Sequence, residues 1–231
     1  MIQKLMRSTA AILSILGLTA SMVDSAIAAG RVESLSGTVE AIAPSGAVRK
    51  LSRDAPISSG EEIRVSANAR VSLRFDDATR MELGPRSRAV LDNINYVEAD
   101  AEKDSFATRI LNGTFRVVTG LIGKRKPRQV AVSTVVATIG VRGTHFAGEV
   151  DGEAQSAKVI LLAQEDTNAP NAVEVKNDFG SVVIDQPGYG TEIPDAQSPP
   201  SPVRKMELRT IQNLLRVMRS SHRISAPRIP R

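Results

Sequence analysis

Between residues 31 and 193 the chain is built of short segments in which apolar and polar positions alternate, divided by Gly, Pro, Asp and Asn. Val71, Leu73 and Phe75 alternate with Ser72, Arg74 and Asp76, the pattern of a strand with one face buried. Met81 and Leu83 follow Asp76-Asp77-Ala78-Thr79, so the two runs predict a hairpin turned by acidic residues. Residues 37–42 and 47–51 bracket Pro44-Ser45-Gly46 in the same way. Residues 107–111 and 115–118 bracket Asn112-Gly113, a dipeptide suited to the two positive φ angles of a type I′ turn. Strands are also expected at 129–133, 159–162, 173–175 and 181–184. This predicts roughly ten to twelve strands and no long helix before residue 193, hence an all-β domain: a β-sandwich, jelly roll or short β-solenoid.

The pattern changes at both ends. Lys4 and Arg7 precede an apolar stretch from Ala10 to about Ala20, and Ala26 and Ala28 place small side chains where a signal peptidase would cut. Residues 1–28 are therefore expected to be a signal peptide, with the mature chain starting at Ala29 in the periplasm or outside the cell. At the other end, residues 194–202 hold four prolines, which read as a linker. Beyond it Leu208, Ile211, Leu215 and Met218 recur at helical spacing, with Lys205, Arg209, Arg216 and Arg219 on the opposite face. A basic amphipathic helix is expected over 203–220, followed by a disordered tail over 221–231. The helix could dock on the body, lie on an anionic membrane surface or bind a partner.

Composition narrows the chemistry. The 231 residues contain no Cys, which removes disulfides, thiol nucleophiles and thiolate metal sites, and the two histidines are too few for most imidazole-based mechanisms. Aromatic residues make up 3%, so the core must be mainly aliphatic. The net charge of +5 is unevenly placed: residues 203–231 carry eight basic residues against Glu207, whereas 29–202 carry 20 basic and 23 acidic residues. An acidic body with a basic tail argues against nucleic acid as partner and for an anionic surface, an acidic partner or self-association; an envelope protein or glycan is the expected partner, with an anionic membrane surface open to the C-terminal helix.

Candidate sites are few. Lys124, Arg125, Lys126 and Arg128 form a basic run, read as a solvated loop or an anion and partner contact. The adjacent acids Asp76-Asp77 and Glu61-Glu62 lack the spacing of a calcium loop and read as solvated turns. His145 has no second ligand near it in sequence. No phosphate loop or Gly-x-Ser-x-Gly nucleophile motif is present, and neither cofactor nor metal is expected.

Five stretches together resemble the FecR domain, the periplasmic part of iron-citrate transport regulators and of many exported bacterial proteins. They are Gly37-Thr38-Val39; residues 57–63; residues 69–75 before the acidic turn; Leu111-Asn112-Gly113-Thr114-Phe115-Arg116, similar to the family's second hairpin; and Val132-Ser133-Thr134 leading through residues 137–141 into Arg142-Gly143-Thr144-His145-Phe146. The last looks like the family's VRGTxF signature, with Val141, Arg142, Gly143, Thr144 and Phe146 in place. The resemblance runs from about Val32 to Val150, and more weakly to Ile193. The acidic turn has Ala78 where the family usually has Gly.

The resemblance implies a non-enzymatic periplasmic or secreted module for binding or signal sensing at the cell envelope. Only about nine residues precede the apolar stretch, so no anti-sigma region and no direct sigma-factor control are expected. A structural envelope component and an enzyme of unrecognised type are the alternatives. Arg142 is expected to tie loop carbonyls or a carboxylate together, with an anionic ligand as the competing reading.

Overall fold

The computed structural model describes residues 28–163, 171–207, 212 and 216. Seventeen strands make one continuous sheet folded into two layers. The first half of the chain contributes β1 (Ala28–Ser36), β2 (Val39–Ile42), β3 (Val48–Lys50), β4 (Pro56–Ser58), β5 (Glu62–Val65), β6 (Arg70–Phe75), β7 (Arg80–Leu83), β8 (Arg88–Asn95) and the long β9 (Ser105–Val118). The short helix α1 (Leu121–Arg125) follows. Then come β10 (Val130–Thr134), β11 (Thr138–Arg142), β12 (His145–Asp151), β13 (Ser156–Leu161), β14 (Ala172–Asn177), β15 (Gly180–Ile184), β16 (Tyr189–Ile193) and β17 (Arg204–Lys205).

Pairing gives one layer the order β4-β1-β6-β7-β9-β12-β13-β16-β17, antiparallel throughout. The other runs β3-β2-β5-β8-β9-β10-β11-β14-β15 and is antiparallel except for the β9–β10 pair. The layers share β9, whose first half pairs with β8 and β10 and whose second half pairs with β7 and β12. A single apolar core lies between them. Phe75 of one layer meets Phe106 of the other edge-on at 5.0 Å, and Val, Ile and Leu supply most of the remainder. The all-β expectation holds, in a two-layer form.

Three expectations change. Asn112-Gly113 is no hairpin turn: β9 runs straight through it, with Gly113 at φ +93°. A Cβ there would lie 2.3 Å from Ser87 Oγ and 2.5 Å from Ser87 Cα. The positive φ that suits a turn here serves the place where a strand changes layers, beside an irregularity in the β8–β9 register. The strand count is also higher, sixteen from β1 to β16 among the described residues; β4 and β5, for instance, are only three and four residues long and too short to show alternation.

The third change concerns residues 194–205. The proline-rich stretch is packed against the body: Ser201 N–H donates to Glu192 O at 2.9 Å, Thr191 Oγ1 donates to Ser201 O at 2.7 Å, and Pro200 is buried. The helix expected from residue 203 starts later, since Arg204 and Lys205 pair with Gly190 and Tyr189 as β17. Met206 then buries its side chain against Ala147, Ile160 and Leu162. The edge of β16 offers unpaired backbone groups, and pairing with them draws these two residues into the sheet. Gln212 and Arg216 are helical and exposed; Arg209, Arg219 and the rest of the tail lie outside the described residues, as does the leader up to residue 27.

Candidate functional site

Two loops meet at one end of the sandwich. After β9, the chain turns at Thr119-Gly120 into α1 and the basic run. After β11, it crosses from one layer to the other through Gly143 and Thr144 into β12. Gly143 has φ +54°, which accounts for the glycine at this corner. The two turns are tied to each other: Thr119 N–H donates to Thr144 O at 3.0 Å, and Thr144 N–H donates to Thr119 Oγ1 at 2.8 Å.

Below them lies the turn joining β6 to β7. Asp77 is 1% exposed, and its carboxylate accepts from Thr79 N–H at 2.9 Å, Thr79 Oγ1 at 2.7 Å and Ile122 N–H at 3.3 Å. Its backbone O accepts from Leu121 N–H at 2.7 Å, while Gly120 comes so close that a Cβ would lie 2.1 Å from Asp77 O. Asp77 is therefore a buried brace that seats α1, not half of a solvated acid pair; only Asp76 faces solvent. Glu61 is likewise buried, accepting from Ser58 N–H and from the Arg49 guanidinium at 2.9 Å. Glu62 pairs with Arg88 and Arg64. These acids are parts of the framework because each has a cation or backbone donors within reach.

The loops enclose an open cleft of about 1210 Å³. Arg80, Arg116, Lys124, Arg125, Lys126, Arg128, Arg142 and His145 line it, and among the described residues none that lines it is acidic. The basic run and the Arg142-Gly143-Thr144 turn, separate in sequence, thus face one space. Arg80, Arg116 and His145 belong to it too. Their positions could be inferred only from strand pairing, because Arg80 and His145 each sit opposite Val118.

The cations divide by what holds them. Arg125 donates to Asp104 Oδ2 at 2.6 Å and to Glu98 O at 3.0 Å, and its guanidinium lies 4.8 Å over the Tyr96 ring, so it anchors the loop. Lys126 pairs with Glu102, Arg80 with Glu33, and Arg116 with Glu82. Arg116 Nε also donates to His145 Nε2 at 2.7 Å, which leaves the His145 Nδ1 proton to donate to Ala163 O at 2.6 Å. His145 is thereby a wall of the cleft, held by its neighbours. Lys124, Arg128 and Arg142 are exposed, and no carboxylate or carbonyl within the described residues engages them.

Arg142 therefore does not tie loop carbonyls together. It leaves the end of β11 for solvent, and the Thr119–Thr144 hydrogen bonds do the fastening that a buried guanidinium was expected to do. Val141 and Phe146 are buried in the core, and Gly143 makes the corner. Thr144 is 2% exposed and borders the cleft, and its buried hydroxyl has no hydrogen-bond partner among the described residues. Lys205 lies on β17 and does not line the cleft. Among the described residues no group of three His, Asp or Glu could hold a metal ion, and no helix is long and apolar enough to cross a membrane.

Comparison with known proteins places this cleft within a matched region. Residues 61–164 match the family described as FecR protein, a span that includes every residue lining the cleft. Gly37-Thr38-Val39 and residues 57–60 fall outside it. Two crystal structures of a candidate anti-sigma factor from Parabacteroides distasonis share the fold, each with a TM-score of 0.51, 13% identity and 67% of this chain covered. The matched parts make up 64% and 63% of those chains, so this chain spans less than two thirds of their length. No curated protein matches the sequence.

Proposed function

We propose that the FecR domain of this chain, residues 61–164, is a non-enzymatic sensing module at the cell envelope, exported to the periplasm or beyond, that recognises an acidic ligand or partner through its basic cleft. The observation that carries this reading is that all the cleft-lining residues lie within the domain, with Lys124, Arg128 and Arg142 held by no carboxylate among the described residues. A surface whose cations are already neutralised has little left to offer a ligand; here three remain at one opening of a body whose net charge is negative. The likeness to a candidate anti-sigma factor supports a signalling context for the fold. Regulation in this reading passes through a partner, with no anti-sigma activity in the chain itself.

The test begins with cell fractionation and N-terminal sequencing of the natural protein. A mature terminus at Ala29 in the periplasmic or extracellular fraction is expected, and an intact Met1 terminus in the cytoplasm would overturn the location. Capture from envelope extracts with the full chain, and with the Lys124→Ala/Arg128→Ala/Arg142→Ala variant, then locates recognition. Capture by the wild type alone supports the cleft; equal capture by the variant removes it.

A further inference from the structure

We infer that the cleft takes a phosphoryl-bearing ligand, gripped by Lys124, Arg128 and Arg142. This rests on the recognition role proposed for the cleft and names the chemistry recognised. The three residues come from two loops that the Thr119–Thr144 hydrogen bonds lock together, so their relative placement is set before any ligand arrives. Arg125, anchored through Asp104 and Tyr96, fixes the loop between Lys124 and Arg128.

Charge decides the class of ligand. Three cations are unengaged, and a single carboxylate would neutralise one of them. A phosphate monoester carries a charge of about −1.5 to −2 at neutral pH with three acceptor oxygens, so one or two phosphoryl groups match the donors on offer. Two guanidinium forks and one ammonium suit that geometry, the arginines through paired N–H donors and Lys124 as a point charge. The same phosphoryl chemistry is found on envelope lipid headgroups and on soluble phosphate esters.

Calorimetric titration of the full chain with inorganic pyrophosphate tests the assignment, with citrate as the carboxylate comparator. Saturable pyrophosphate binding is expected, weakened about tenfold or more by Arg142→Ala and by Lys124→Ala/Arg128→Ala. Lys50→Ala, an exposed cation on β3 outside the cleft, should bind as the wild type does. Melting curves confirm that each variant is folded. Absence of pyrophosphate binding, tighter binding of citrate, or an equal loss in Lys50→Ala would overturn the inference. Flotation with phosphatidylglycerol vesicles separates the sources. Flotation reversed by pyrophosphate points to a headgroup, no flotation points to a soluble ester, and flotation that pyrophosphate cannot reverse contradicts a phosphoryl site in the cleft. A failed titration removes the ligand class alone, whereas the envelope role falls only with the fractionation and capture results.

Discussion

Replacing Gly113 with Ala attacks the point where β9 passes from one layer to the other. The new methyl group meets two separate obstacles. A non-glycine residue in the left-handed region costs about 1 to 2 kcal/mol, and φ +93° lies beyond its centre. The Cβ would also lie 2.5 Å from Ser87 Cα, and a backbone atom cannot rotate away as the Ser87 hydroxyl can. Overpacking of this kind adds about 1 to 3 kcal/mol, giving a total destabilisation of about 2 to 5 kcal/mol. For a domain of this size that corresponds to a fall in melting temperature of at least about 4 °C. Urea unfolding should show a lower midpoint with an unchanged slope. Ser87→Gly in the same chain should recover only part of the loss, because it removes the Cβ and hydroxyl but leaves the Cα and the φ penalty. If Asn112-Gly113 were an exposed hairpin turn, the φ penalty alone would apply and Ser87→Gly would change nothing. A loss of about 1 kcal/mol or less, with no partial recovery, would refute the crossing geometry.

Other expectations follow from single residues. Ala78 has φ +65° in the β6–β7 turn, so Ala78→Gly should stabilise the protein by about 0.5 to 1 kcal/mol, read by the same urea titration; a loss would mean that the turn has another conformation. Arg142 is exposed and unengaged, so Arg142→Ala should shift stability by less than about 0.5 kcal/mol, and a drop of about 2 kcal/mol would return it to a structural role. The hydrogen bond from Arg88, joined by that from Arg64, holds the Glu62 carboxyl below its ordinary value of 4.5. A carboxyl with a lowered folded-state pKa contributes stability that is present above about pH 4.5 and lost as pH falls through the folded value. Glu62→Gln should therefore flatten the acid limb of a stability-versus-pH profile below that point, and an unchanged limb would show the pairing to be of no consequence.

The legible part of the fold was what short-range alternation records. The β6–β7 pair could be read directly because one face of each strand is buried, and the Pro44-Ser45-Gly46 hairpin because its turn residues are local. Asn112-Gly113 misled for a physical reason: a type I′ turn and a strand crossing both need a positive φ, and only the position of Ser87 distinguishes them. Residues 194–205 misled because proline composition says nothing about the neighbouring edge of β16 that receives β17. The candidate site was half visible. The basic run and the Arg142–Phe146 stretch could be singled out separately, but their meeting depends on the Thr119–Thr144 bonds and on β7, β9 and β12 lying side by side. Arg142 was assigned to the framework because an arginine beside a glycine corner has many carbonyls in reach. The structure satisfies those carbonyls with backbone and threonine donors instead.

Hydrogen exchange of the full chain, measured with and without solubilised envelope material from its own cells, tests the central claim that recognition occurs in the basic cleft. The account predicts new protection in peptides covering residues 119–129 and 142–146, abolished by Lys124→Ala/Arg128→Ala/Arg142→Ala, with the exposed edge around Phe179 and Val183 unchanged. Protection confined to that edge, or equal protection in the variant, would contradict it.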